Sequence, residues 1–385
     1  MDYFLSEEEL MVRDTARGIS QKMILPVRAE LDEKGEFPSE ILKEFAKADL
    51  FRILIPAEYE GLGLTNLSFC LAIEEISKVC AGVAVTYAAN TLGSMPITLF
   101  GNDKQKKKYL PLIASGERLC AFALTEADAG SDAGNIKTKA IKDGDFYIIN
   151  GTKQWITNGG EADIYVVIAS TQADKGTRGL SAIIVEKDTP GFSFGKKENK
   201  LGIRASVTRE LIFQDVRVPR ENLLIKEGTG FLIAMRIFDR TRPGVGAQAV
   251  GIAQGALDEA VNYAKTRRQF GKSIINFQGI GFLLAELATK IEAARTLVYQ
   301  VARAIDRGTK DISKYSSMAK LFASDVAMEV TTQAVQVFGG YGYMKEYPVE
   351  KYMRDAKITQ IYEGTNEIQK LVIANALQRQ NQGLL

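Results

Sequence analysis

The hydrophobic pattern of this chain changes period twice. Up to about residue 118 apolar residues recur at helical spacing. After Cys120 short β-prone runs bounded by Gly, Asp and Asn take over, and from about residue 229 the helical period returns and persists. A chain of 385 residues exceeds one ordinary core, so two or three domains are expected. The order helical, β, helical predicts a β module held between two helical bundles.

Particular residues place the elements. Ser6-Glu-Glu-Glu9 is a helix-start signal, followed by Leu10, Val12, Ala16 and Ile19. Pro38-Ser39 opens a second helix carrying Ile41, Leu42, Phe45 and Leu50; 55–63 reads as a loop, and helical patterns follow at about 66–79 and 102–114. Strands are predicted at Phe146–Asn150, Ile164–Ala169, Leu180–Val185 and Leu211–Val218. Phe231–Arg268 reads as one long helix despite Pro243, with further helices at about 276–307, 311–338 and 366–378.

Several function classes drop out on composition. A net charge of +2 provides no basic field for nucleic acid, and Lys104–Lys108 reads as a solvated helix face. Three cysteines, Cys70, Cys80 and Cys120, lie in apolar stretches without CxxC spacing, which argues against disulfides and a zinc site. No apolar run reaches a membrane span and no signal peptide is expected, so the expected location is cytoplasmic or, for a processed chain, the mitochondrial matrix. There is no histidine, so a general base must be a carboxylate, lysine, tyrosine or cysteine.

Six segments carry candidate chemistry. Ala123–Asp132 combines small residues with the hydroxyls of Thr125 and Ser131, as a ligand-approach loop or a plain turn does. Trp155, the only tryptophan, is a packing anchor or a stacking surface for a flat cofactor. Asp239 and Arg242 suit an intrahelical ion pair, and Gly244, Gly246 and Gly251 lack the spacing and preceding strand of a dinucleotide loop. Thr266–Lys272 reads as the end of the long helix at Gly271, and Val335–Tyr343 as another helix end. Glu363, between Tyr362 and Gly364, is either a helix-capping carboxylate or a partly desolvated base.

In this order and at these separations the segments resemble the acyl-CoA dehydrogenases, flavin enzymes that introduce a double bond α,β to a CoA thioester. The resemblance covers nearly the whole chain, with Phe238–Pro243 and Ile361–Thr365 nearest to short- and medium-chain members. It implies an α+β fold: an N-terminal helical domain (1–119), a central β-barrel-like domain (120–226) and a C-terminal four-helix bundle (227–385). It implies FAD, with Phe122, Leu124, Thr125, Trp155 and Thr157 around the flavin and Ser131 between flavin and pantetheine. Arg267, Phe270 and Gln278 match residues that hold a neighbouring subunit's FAD; Gln336, Gly340, Thr365 and Glu367 also match FAD contacts. Asp239, Arg242, Thr91, Tyr362 and Gly364 match substrate-side positions, and Glu363 matches the catalytic base, with no acidic competitor at Arg240–Thr241.

The same resemblance implies an acyl-CoA substrate, electron-transfer flavoprotein as electron acceptor, and a homotetramer built as a dimer of dimers; no metal is implied. The neutral stretch Val85–Leu92 argues against a dicarboxylic substrate. A short-to-medium linear acyl chain is the first expectation and a branched or alicyclic one the second, because Ala88, Ala89, Gly244 and Gly246 leave room. An acyl-CoA oxidase and a catalytically inactive scaffold homologue are the other readings; oxygen consumption and flavin colour discriminate them.

Overall fold

The computed structural model describes residues 3–381. The N-terminal helices are α1 (Glu7–Ile19), α2 (Arg28–Lys34), α3 (Ser39–Lys47), α4 (Asn66–Ser77), α5 (Ala81–Phe100) and α6 (Asp103–Ala114). Ser6 and Glu9 close a capping box on α1, as Asn102 and Gln105 do on α6, satisfying amides that a helix start leaves open. Gln105 then donates to the carbonyls of Glu221 and Leu223, which fixes α6 to the end of the β region.

Helix α5 was not predicted. It is buried on nearly every face, so its sequence has no polar side and no helical period to read. It lies against the strand β1 (Cys120–Ala123): Asn90 accepts from the Cys120 amide at 2.7 Å, and a Cβ on Gly93 would meet the Ala121 nitrogen at 2.6 Å.

The β region continues with β2 (Lys139–Asp143), β3 (Phe146–Thr157), β4 (Ile164–Ser170), β5 (Leu180–Glu186), β6 (Phe192–Phe194) and β7 (Thr208–Pro219). The strand order is β1-β4-β2-β3-β7-β6, with β5 also on β4. The sheet curls because β4 meets β2 only at Ser170–Lys139, so two well-paired halves join at one point. The short strands β1, β2 and β6 escaped prediction, and β3 and β7 run longer than expected. In β3 two residues, Gln154 and Trp155, stand between the pairs Lys153–Leu211 and Ile156–Arg209, a β-bulge with Trp155 at φ +57°.

The C-terminal region holds α7 (Gly230–Thr266), the two-stranded β8 (Arg268–Gln269) and β9 (Lys272–Ser273), then α8 (Gln278–Asp306), α9 (Ile312–Phe338), α10 (Val349–Ile358) and α11 (Asn366–Asn381). Four long helices are thus joined by a fifth, short one that the sequence reading missed. Nor does α7 end at Gly271: it stops at Thr266, and 267–273 form a hairpin whose tip, Phe270-Gly271, takes positive φ at both residues. Pro243 is accommodated because Ser316 of α9 donates to the Asp239 carbonyl at 2.6 Å, the acceptor that a proline leaves free four residues back. The three cysteines are buried and free, and no helix among the described residues is long and apolar enough to cross a membrane.

Candidate active site

The turn between α10 and α11 carries Glu363 at φ +51° and Gly364 at φ +92°. Such a turn needs its carbonyls held, and three side chains do so. Gln369 donates to the carbonyls of Glu363 (3.2 Å) and Gly364 (2.8 Å), Lys320 to that of Gly364 (2.9 Å), and Arg242 Nε to that of Glu363 (3.4 Å). The helix cap of α11 is Thr365, whose hydroxyl accepts from the Ile368 amide at 3.3 Å, so Glu363 is not a capping carboxylate. Its carboxylate instead accepts from Thr241 Oγ1 at 2.6 Å.

Burial pushes the Glu363 carboxyl above its ordinary range; the Thr241 bond and the charges of Arg242 and Lys320 pull it back. A carboxyl raised in this way binds a proton more readily than an ordinary one, and the chain has no histidine to do so.

Glu363 lines a cavity of about 140 Å³. One wall comes from the sheet: Phe122, Leu124, Thr125, Trp155 and Thr157. The rest of the lining comes from α4, α5 and α7, through residues such as Phe69, Ala88, Ala89, Phe238 and Gly244. Trp155 is 55% exposed at its bulge, so it presents a face to this space instead of anchoring the core. Behind it Lys153, fully buried, donates to Glu126 (2.7 Å) and to the Leu124 carbonyl (2.9 Å). Glu126 also accepts from the amides of Lys137 and Thr138, so one buried ion pair fixes the loop that carries Thr125. Tyr362 donates to Gln248 on α7 at the cavity's edge.

The remaining candidate residues fall elsewhere. Ser131 is exposed on its loop, as is Glu367 on α11. Arg242 is buried behind the Glu363 turn, paired with Asp239 at 3.4 Å and bonded to Ser317 at 3.3 Å; it does not line the cavity. Asp239 borders a separate cleft with Arg236, Arg240 and Lys310, and Thr91 a third with Ser94 and Arg240. Arg267 and Gly340 share a cleft of about 580 Å³ with Tyr341, Arg267 lying 5.4 Å from the Tyr341 ring centre. Gln278, Gln336 and Phe270 are exposed in that region of the chain.

Thr241, Gln248, Lys320 and Gln369 were not singled out from sequence. Thr241 and Gln248 lie on the α7 face that carries Gly244. Lys320 shares helical spacing with buried Ser316, Ala323 and Ala327, a pattern that does place a lysine inside.

Family models for the N-terminal, middle and C-terminal domains of acyl-CoA dehydrogenases match residues 6–117, 121–216 and 228–378. The chain belongs to the acyl-CoA dehydrogenase family. It is therefore an oxidoreductase of that class. An acyl-CoA dehydrogenase of Bacillus subtilis (strain 168) is 52% identical over 374 residues, 97% of this chain and 98% of its own length. A short-chain-specific acyl-CoA dehydrogenase of Clostridium acetobutylicum is 49% identical over 383 residues, covering 98% of this chain and 100% of its own. Among solved structures, butyryl-CoA dehydrogenase from Megasphaera elsdenii has a TM-score of 0.96 at 48% identity, covering 98% and 100%. A chain solved in work on the electron transferring flavoprotein of Acidaminococcus fermentans and flavin-based electron bifurcation has a TM-score of 0.96 at 52% identity, with the same coverage.

Proposed function

We propose that this chain converts a short acyl-CoA thioester to its trans-2-enoyl-CoA, with FAD as cofactor and electron-transfer flavoprotein as electron acceptor. The reading is carried by one observation: Glu363, a carboxyl that burial pushes above its ordinary range, lines one apolar cavity together with a sheet-side wall that carries the half-exposed Trp155 and the threonines Thr125 and Thr157.

The residues of that wall suit a flavin. Trp155, Phe122 and Leu124 offer an apolar surface to a flat ring, and Thr125 and Thr157 offer hydroxyls to its polar edge. When bound, FAD supplies the acceptor for the β-hydride. Ser131, Thr365 and Glu367 extend this set, while Arg267, Phe270, Gln278, Gln336 and Gly340 would hold the pyrophosphate and adenosine of a neighbouring subunit's FAD. A homotetramer arranged as a dimer of dimers is part of the proposal.

Glu363 removes the α-proton. Among the described residues no hydrogen bond occupies the Glu363 N–H, which leaves it to stabilise the thioester oxygen as negative charge develops there. The apolar lining excludes water and keeps the carboxylate basic toward carbon. Asp239, Thr91 and Gly364 are assigned to the substrate side, and Arg242 to support of the Glu363 turn.

Acyl length is limited by Phe69, Ile73 and the Tyr362–Gln248 hydrogen bond. The small residues Ala88, Ala89 and Gly244 favour a second reading, a branched or alicyclic acyl group.

A panel of butyryl-, octanoyl-, isobutyryl- and cyclohexanecarbonyl-CoA with an artificial electron acceptor tests both, and butyryl-CoA is expected to turn over best. Glu363→Gln should keep its FAD and lose at least about a hundredfold in kcat. Near-wild-type turnover by that variant would overturn the mechanism.

A further inference from the structure

Lys320 lies in the middle of α9 with its side chain fully buried. Its ammonium donates to the Gly364 carbonyl at 2.9 Å and to Asn366 Oδ1 at 2.8 Å. Asn366 is itself fixed by its amide nitrogen, which donates to Ser324 (2.9 Å) and Asp325 (2.7 Å), so the acceptor oxygen is turned toward the lysine. Among the described residues no carboxylate forms an ion pair with Lys320. An ammonium without a carboxylate partner is costly to bury even when hydrogen-bonded, and a leucine or methionine would fill the same space without that cost. The position therefore calls for a reason beyond packing.

We propose that Lys320 is a positioning residue for Glu363: it clamps the Glu363–Gly364 turn through the Gly364 carbonyl, and its charge stabilises the ionised carboxylate that takes the substrate's α-proton. The proposal rests on the reading of Glu363 as the base. Every charged group that bears on Lys320 fits it. Glu363 on the turn favours the ammonium, as do Asp325 on α9 and Glu367 on α11, while Arg242 on α7 opposes it; burial outweighs them and pushes Lys320 down to about 8. Reciprocally, Lys320 and Arg242 are the two cations that pull Glu363 back from the upward push of burial. Arg242 has Asp239 as a carboxylate partner, so much of its charge is already answered. Lys320 has none, and its field is directed at the turn.

The clamp also explains how a glutamate comes to sit at φ +51°. A non-glycine residue takes this conformation only where surrounding bonds impose it, and Lys320 and Gln369 together impose it through the two successive carbonyls.

The test compares Lys320→Met, which removes charge and donor, Lys320→Gln, which keeps a donor, and Lys320→Arg, which keeps the charge. Each FAD-loaded variant is checked for flavin content and melting temperature, then read by its pH profile of kcat on butyryl-CoA with an artificial acceptor. Loss of a nearby positive charge raises the carboxyl's titration point, so the acid limb of K320M should move up by about one pH unit. At a given pH on that limb its kcat should then fall about tenfold, with KM changed by less than about threefold. K320R should bring the limb back toward wild type. Should K320M fail to fold, K320Q carries the same expected shift of the limb.

Exchange of the α-hydrogen of butyryl-CoA with deuterated water, followed without oxygen or acceptor, reads Glu363's proton transfer apart from net turnover and should fall in parallel. A folded, flavin-replete K320M or K320Q with an unmoved acid limb would overturn the assignment. Glu363→Gln run alongside separates the two claims: retained turnover there overturns the base itself, whereas lost turnover with an unmoved limb in K320M overturns only Lys320.

Discussion

Thr241 Oγ1 donates to Glu363 Oε2 at 2.6 Å, joining α7 to the turn before α11. The bond opposes the upward push of burial on the carboxyl. A hydrogen bond to a charged group contributes about 1.5–3 kcal/mol, or one to two pKa units. Thr241→Val removes the donor at nearly constant shape, so the acid limb of kcat/KM should move up by about one pH unit. A pH profile between about 5 and 9 measures it. An unmoved limb would mean that the bond does not govern the free enzyme's base.

The same carboxyl makes stability depend on pH. Its folded titration point lies above the ordinary carboxylate value, so the folded state holds this proton more tightly than the unfolded one. Its contribution is present in acid and is lost as pH rises through the folded value. Glu363→Gln cannot ionise. Relative to wild type its melting temperature should be similar near pH 4 and progressively higher toward pH 8, which scanning calorimetry resolves. A difference that stays flat across that range would place the desolvation cost elsewhere.

Much of this architecture was legible in periodicity, and the exceptions have physical causes. Helix α5 was lost because it is buried on nearly all sides, and α10 because it is only ten residues long. The strands β1 and β6 are too short for alternation to develop. Glu363 could be singled out because the chain has no histidine to act as base and the segment around it, Arg354–Gln369, resembles a family signature. Its supports could not: Thr241, Lys320 and Gln369 are brought to the turn from two other helices and from one turn further along α11. Arg242 makes the i,i+3 ion pair with Asp239 that its spacing suggested, while the fold seats it behind the Glu363 turn, away from the cavity, which the substrate-side match did not indicate.

Lys153 and Glu126 form a buried pair at 2.7 Å beneath the Thr125 loop. Burial pushes Lys153 down to about 8, and Glu126's charge holds it there against a further fall. Removing one member of a buried pair costs about 3–5 kcal/mol, because the other charge is left unanswered. Glu126→Gln should therefore lower the melting temperature and loosen the loop, so that flavin is lost on dialysis. The double variant Glu126→Gln/Lys153→Met should recover part of the stability. Equal melting temperatures for the single and double variants would mean that the pair is not coupled.

Phe270 stands at the tip of the β8–β9 hairpin, 93% exposed and at φ +48°. A bulky aromatic in left-handed backbone, held out into solvent, is costly for an isolated chain and is explained if it is covered in the assembled enzyme. Arg267, three residues earlier, borders the cleft with Tyr341 and Gly340 that is proposed to take part in a neighbour's FAD site. An aromatic anchor in an interface contributes about 2 kcal/mol or more, roughly thirtyfold in a dissociation constant. Phe270→Ala should therefore shift the protein toward smaller species in light scattering and release FAD at micromolar concentration, while its circular dichroism stays unchanged because the side chain packs on little of its own subunit. If Phe270→Ala remained fully assembled and kept its flavin on dilution, the hairpin would have no part in joining the subunits.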